Sequence, residues 1–135
     1  MINLVNVLRF KIAATVIFWC VPLILFPASA LTTLGLPEQG SYMFVRMLGW
    51  AFLALCVGYG FGLKAAMAGR YQPGPIWVGI VSNGGACTYL LYYGLVGEWA
   101  TWGIIVQGIF WLSVGATALI TLGLYFKGVR GGLPQ

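Results

Sequence analysis

The chain has 135 residues, of which 61% are hydrophobic and only 7% charged, and its formal net charge is +5. A soluble domain carries roughly a quarter charged residues, and a chain this short has too little interior to bury so much apolar surface. The composition therefore predicts an integral membrane protein. Histidine is absent, which removes the commonest metal ligand and the usual side chain for proton transfer near neutral pH. The basic residues stand at the ends of apolar segments, which argues against nucleic-acid binding.

Four apolar runs have the length of about 20 residues that a helix needs to cross a bilayer. They cover approximately residues 10–30, 44–67, 76–96 and 102–126. We therefore predict an all-α fold, with residues 1–135 forming one four-span domain folded as an antiparallel four-helix bundle. The third connection, residues 97–101, is so short that the last two helices must be neighbours. Pro22 withdraws a backbone donor in the middle of the first run and predicts a bend there.

The first run also fits a secretory signal peptide. Arg9 and Lys11 precede an apolar stretch, and Ala28-Ser29-Ala30 has the form of a cleavage site. Cleavage would leave three spans, but the chain is given from Met1, and we expect the first run to be a retained helix.

The basic residues predict the orientation, because Lys and Arg near span ends stay preferentially on the cytoplasmic side. Six of the seven fall on one side of the predicted topology: Arg9, Lys11, Lys64, Arg70, Lys127 and Arg130. The two acids, Glu38 and Glu98, lie on the other side with Arg46. Both termini are therefore predicted to be cytoplasmic. Aromatic residues predicted at the outer interface are Trp99, Trp102, Tyr42, Tyr92 and Tyr93.

Small residues repeat at four-residue spacing on two of the predicted helices, as is typical of closely packed membrane helices. The two sets are Ala54, Gly58 and Gly62 on the second helix, and Ser113, Thr117 and Thr121 on the fourth. Packing within the bundle is the main interpretation, and homodimerisation is the alternative.

Arg46 stands about one turn inside the outer end of the second span, where an unpaired charge costs a few kcal/mol. It either reaches the lipid headgroups or turns inward and anchors a polar cluster. Glu38, Glu98, Gln107, Tyr89 and Tyr93 lie on the same side as possible partners.

The third helix carries the polar stretch Ser82-Asn83-Gly84-Gly85. Such a stretch either packs against another helix through a hydrogen-bonded Asn83 or lets a ligand approach the backbone. Cys20, Cys56 and Cys87 fall near mid-membrane without Met or His partners, and they are expected to be free, apolar side chains. We predict no metal site and no cofactor.

The run FPASALTTLGLPEQGSYMFVRMLGWAFLALCVGYG resembles DoxX-like and related uncharacterised bacterial four-helix proteins. The matching positions are Pro37, Arg46 and Gly49, and the run covers about a quarter of the chain. The resemblance implies a compact bundle in a bacterial inner membrane, at times associated with redox or quinone-linked partners. It transfers no catalytic residue.

Two classes of function remain. The first is an accessory or scaffolding subunit, held by lipid and by a larger membrane complex or by other copies of itself. The subunit class is favoured because no acid or histidine lies inside a span. The second is a small bundle that binds or acts on a lipophilic molecule, such as a quinone or a lipid. Its candidate ligand-binding residues are Arg46, Asn83, Tyr89, Gln107 and Trp111. A cavity between the helices would favour the second class, and a fully packed interior the first.

Overall fold

The computed structural model describes residues 3–132, and this part of the chain is helical between its connections, without a β-strand. The predicted domain, residues 1–135, extends beyond the described residues at both ends. The helices are α1 (Leu4–Leu25), α2 (Ala28–Thr33), α3 (Met43–Met67), α4 (Pro73–Leu95) and α5 (Ile104–Val129), which the short turn Arg130–Gly132 extends.

Three of these helices, α1, α3 and α5, are long and apolar enough to cross a membrane. Helix α4 has 23 residues, which is also the length of a span. Its polar centre, Ser82-Asn83-Gly84-Gly85, lowers its hydropathy, and α4 is not among the three. The prediction of an all-α fold is therefore confirmed for the described residues, and three of the helices are candidate membrane spans.

Helix α1 has different bounds from the predicted residues 10–30. It begins six residues earlier, because the Asn3 side chain accepts a hydrogen bond from the Asn6 backbone N–H at 2.9 Å and caps the helix. It ends at Leu25, because Phe26 is extended and Pro27 has no N–H to continue the helix. A π-helical turn, Val16–Cys20, ends two residues before Pro22, the residue predicted to disturb the helix.

Successive long helices pack on one another in opposite directions. The start of α3 meets the end of α1 through Gly49, which faces Leu23 and Ile24. The end of α3 meets the start of α4, where Gly62 packs on Pro75. Helix α5 returns along α4 and also contacts α1. The core at the end that holds the N-terminus consists of Val7, Leu8, Ile76, Ile120 and Leu124.

The opposite end is closed by loops and aromatic rings. The Gly103 N–H donates to the Gly35 carbonyl at 3.0 Å, and Gly35, at φ +106°, touches Gly103 so closely that neither position has room for a Cβ. Trp99 is only 4% exposed, and its ring centroid lies 4.5 Å from that of Phe110. Trp99 is thus a core residue rather than the predicted interfacial ring, because the loop after α4 folds back over the helix ends.

The two stripes of small residues have different surroundings. Gly62 is buried against α4, but Ala54 and Gly58 are exposed, and Gly58 has no neighbour where a Cβ would lie. Packing within the chain therefore accounts for Gly62 and not for the other two. On α5, Ser113 is buried, and the hydroxyls of Thr117 and Thr121 donate to carbonyls of their own helix.

Candidate functional site

Lys11 is buried inside the protein, with 4% of its surface exposed. Lys11 was predicted to flank the first span beside Arg9, and its burial shows that this prediction is wrong. Because α1 begins at Leu4 rather than near Phe10, Lys11 lies two turns into the helix, on the same face as the core residues Val7 and Leu8. Arg9 is exposed, as a flanking residue should be.

The partners of the Lys11 ammonium are all neutral. Its Nζ donates to Asn83 Oδ1 at 2.9 Å and lies 4.2 Å from the centroid of the Tyr59 ring. The Asn83 amide nitrogen donates to the Gly79 carbonyl at 2.6 Å, which leaves its oxygen facing the ammonium. The hydroxyls of Tyr59 and Ser82 are 2.8 Å apart. Lys11, Tyr59, Ser82 and Asn83 thus form one polar cluster from three helices, called here the lysine cluster.

The local sequence positions the lysine cluster. Gly79 packs against Leu124, so α4 and α5 approach closely one turn before Asn83, and this approach helps to bury the Asn83 side chain. Tyr59 is 1% exposed and belongs to the inner face of α3 together with Cys56. The lysine cluster therefore lies on three inward faces, each set by its own helical periodicity.

A cavity of about 330 Å³ adjoins the lysine cluster and is called here the Lys11 cavity. All four cluster residues line one part of it. The rest is lined by four residues that carry hydroxyls, Thr15, Tyr89, Ser113 and Thr117, and by apolar side chains, namely Trp19, Leu48, Phe52, Leu55, Ala86, Leu90 and Phe110. The Lys11 cavity is therefore polar at one end and apolar at the other.

The Lys11 cavity runs along the helices. Trp19 lies eight residues after Lys11 in α1, and Leu48 lies eleven residues before Tyr59 in α3. At 1.5 Å of rise per residue, these separations correspond to about 12 Å and about 16 Å. The polar and apolar ends of the Lys11 cavity are therefore about 12–16 Å apart.

Two further cavities adjoin the same helices. One, of about 250 Å³, shares Thr15, Trp19 and Asn83 with the Lys11 cavity and opens beside Phe10 and Leu112. The other, of about 190 Å³, lies toward the loop-covered end and has an almost wholly apolar lining. The space around α1 is thus incompletely filled along much of its length.

Arg46 lies at the opposite end and lines none of these three cavities. Its guanidinium donates to the Leu23 carbonyl at 2.7 Å and to the Phe26 carbonyl at 2.5 Å. The residue four positions after Leu23 is Pro27, which has no N–H to offer that carbonyl. Arg46 therefore turns inward and completes the C-terminal end of α1.

The other candidate residues are separated in the structure. Asn83 and Tyr89 line the Lys11 cavity, although Tyr89 is 66% exposed. Gln107 donates to the carbonyls of Ala100 and Trp102 and so supports the third connection. Trp111 packs on Trp99, with ring centroids 5.4 Å apart. The structure thus brings Asn83 and Tyr89 to one cavity and leaves Arg46, Gln107 and Trp111 elsewhere.

The cysteines and acids add no metal-binding cluster to the part of the chain that the structure describes. Cys20 and Cys56 are buried free thiols, and the Cys87 thiol lies 3.6 Å from the Val114 carbonyl. Between residues 3 and 132, no three acidic or cysteine side chains lie together. Lys11 and Tyr59 are the functional candidates that were not predicted from the sequence, whereas Ser82 belongs to the polar stretch that was. The signal that could have found Lys11 is its spacing of three and four residues from Leu8 and Val7.

Comparison with known proteins gives no relative: no protein-family model, no curated protein and no solved structure matches this chain.

Proposed function

We propose that this protein binds a lipophilic molecule, such as a quinone or a lipid, between its helices. The observation that carries the proposal is the Lys11 cavity, a space of about 330 Å³ with a buried polar cluster at one end. Ligand sites of small molecules begin at about 300 Å³ and have mostly apolar walls with a few placed polar groups. The Lys11 cavity has this size and this composition.

A ligand could reach the Lys11 cavity sideways from the bilayer. Leu48 and Tyr89 belong to its lining and are exposed by 45% and 66%, respectively. Exposed lining residues form a rim, so the apolar end of the cavity opens toward the surface of the helices. This opening faces lipid if α3 and α4 both span the membrane.

The accessory-subunit hypothesis favoured by the composition expects a fully packed interior. Three cavities along α1 favour the ligand-binding alternative instead. Arg46 does not contribute to this support, because the Lys11 cavity is lined by Lys11 and not by Arg46. A role in a larger membrane complex, or as a homo-oligomer, stays a prediction.

The proposal includes a membrane topology. We propose that α4 crosses the membrane with the three more apolar helices, as an antiparallel four-helix bundle in a bacterial inner membrane, with both termini cytoplasmic. The exposed basic residues support the orientation, since Arg9, Lys64, Arg70, Lys127 and Arg130 all lie toward one end of the packed helices. The bacterial location rests on the resemblance to DoxX-like proteins.

The proposal is tested by filling the Lys11 cavity. Ala86→Phe places a ring in this cavity, whereas Ala54→Phe places the same ring on the exposed face of α3. Both variants and the unmodified protein would be purified in mild detergent and examined by native mass spectrometry with lipid extraction. We expect a stoichiometric lipophilic molecule on the unmodified protein and on Ala54→Phe, and its loss from Ala86→Phe.

Equal retention of the molecule by both variants would contradict the location of the site. A chain that carries no small molecule and co-purifies instead with a second protein would favour the subunit hypothesis over ligand binding.

A further inference from the structure

Within residues 3–132, the range that the structure describes, no anionic group lies beside the charge of Lys11. The chain contains two acids, Glu38 and Glu98, and both lie in connections at the opposite end of the helices. From Lys11 to the end of α1 at Leu25 there are fourteen residues, or about 21 Å of helix. The part of the chain that the structure describes shows Lys11 bound only to the neutral Asn83 and Tyr59.

A buried ammonium in an apolar interior is stabilised chiefly by an anion in direct contact. Asn83 supplies one dipole and Tyr59 a ring face, and each is weaker than a carboxylate or phosphate oxygen. None of the residues described in the structure supplies the counter-charge, which leaves this role to a ligand. The Lys11 cavity gives a ligand access to the ammonium, since Lys11 itself is part of its lining.

The shape of the Lys11 cavity limits the rest of the ligand. Its volume of about 330 Å³ extends over at least about 12 Å, so its mean cross-section is at most roughly 30 Å². This cross-section suits one alkyl chain rather than two side by side. The walls beyond Thr15 are formed by Trp19, Phe52 and Phe110, which are suited to methylene groups.

We infer that the ligand is a single-chain anionic amphiphile, whose carboxylate or phosphate head pairs with Lys11 while its alkyl chain lies along the Lys11 cavity. This inference rests on the proposed function and narrows its ligand class. The hydroxyls of Tyr59 and Ser82 are the further donors that the head can use once their mutual hydrogen bond opens. A quinone or a long-chain alcohol would fill the same cavity without supplying the charge.

The inference is tested by comparing probes that share one chain and differ in the head. Palmitate, hexadecyl phosphate and hexadecan-1-ol would be bound to the full chain in mild detergent at slightly alkaline pH, with affinities from native mass spectrometry titrations. We expect at least one of the two anions to bind at least about tenfold more tightly than the alcohol. The ratio between palmitate and hexadecyl phosphate identifies which head the site prefers.

Matched lysine variants locate the charge preference. Lys11→Met should abolish the preference for the anion while retaining the alcohol, and Lys11→Arg should keep most of it. Lys64→Met removes an exposed lysine toward the same end of the helices and should leave the preference unchanged. If Lys11→Met fails to fold, the comparison of anion with alcohol on the unmodified protein still decides the ligand class.

Three results would contradict these proposals, and each contradicts a different part. Equal binding of alcohol and anions would overturn the anionic ligand and leave the proposed function intact. A preference lost equally in Lys64→Met and Lys11→Met would assign it to surface charge and overturn the inference. Binding of none of the three probes, together with no co-purified lipophilic molecule, would overturn both proposals.

Discussion

Arg46 and Lys11 are the two cations that turn toward the interior of this protein, and their surroundings differ. Arg46 lies near one end of the helices, and its two hydrogen bonds occupy backbone carbonyls that α1 leaves open when it stops before Pro27. Lys11 lies toward the other end, where its one hydrogen bond is to the Asn83 side chain and a cavity adjoins it. Arg46 therefore satisfies the backbone carbonyls of a helix end, whereas Lys11 makes its hydrogen bond to a side chain and caps no helix.

This difference separates a structural role from a binding role. A cation that satisfies carbonyls has its donors in use, so a ligand would have to break the fold to reach them. A cation held by one neutral acceptor and one ring face keeps donors for another partner, and its burial costs stability while that partner is missing. The two cations should therefore respond to mutation with opposite signs.

The largest effect is expected at Arg46. Arg46→Leu leaves the Leu23 and Phe26 carbonyls without their donors and should lower the free energy of unfolding by about 3 kcal/mol. The measurement is equilibrium unfolding in mixed detergent micelles. Arg9→Leu is the matched control, because the exposed Arg9 side chain reaches only the Met67 sulfur, at 3.8 Å, and its loss should cost little.

Arg46→Leu in a Pro27→Ala background tests whether Arg46 stabilises the protein through the Leu23 carbonyl. Alanine at this position offers the backbone N–H that Pro27 lacks, and it removes the steric block by which proline keeps Phe26 out of the helical region. The helix can then continue, the Leu23 carbonyl regains a partner, and Arg46→Leu should cost less there than in the unmodified chain. An unchanged cost in both backgrounds would show that the Leu23 carbonyl is not what Arg46 stabilises.

A smaller loss is expected at Asn83. Asn83→Leu removes the acceptor of the Lys11 ammonium and should destabilise the protein by about 2 kcal/mol, since a buried charge is left without its hydrogen bond. Thr88→Val is the control on the same helix, because the Thr88 hydroxyl is exposed and donates only to the Gly84 carbonyl. Equal unfolding free energies for these two variants would count against a stabilising Lys11–Asn83 bond.

The smallest effect, with the opposite sign, is expected at Lys11. Lys11→Met replaces a buried ammonium by an apolar chain of similar length and should raise the free energy of unfolding of ligand-free protein by about 1 kcal/mol. The gain is modest because Asn83 Oδ1 loses its donor. A loss as large as that of Arg46→Leu would mean that Lys11 is structural, and the contrast between the two cations would fail.

The sequence predicted much of the secondary structure and some of the site. Apolar runs of span length located α1, α3, α4 and α5, because this length and hydropathy are properties of the chain itself. Asn83 was identified as a polar residue inside an apolar helix, which is also a local property. Tyr89 was named too, and it shares a cavity with Asn83.

Lys11 was misplaced because its position depends on where α1 begins. A start near Phe10 makes Lys11 a flanking residue, and a start at Leu4 makes it an interior one. Cap residues such as Asn3 decide such boundaries, and their signal is short and weak beside a hydropathy run. Trp99 was misplaced for a related reason, since the fold of a connection decides whether its rings meet water or the core.

By itself the sequence determined that this chain is helical and suited to lipid, because composition and periodicity are summed along the chain. Tertiary structure decided which polar groups meet. Lys11, Tyr59 and Asn83 are separated by 24 residues or more along the chain, and only the packing of α1, α3 and α4 brings them together. Tertiary structure also decided that Arg46, a residue of α3, binds the end of α1. Its acceptors are the Leu23 and Phe26 carbonyls, which are free because α1 stops before Pro27.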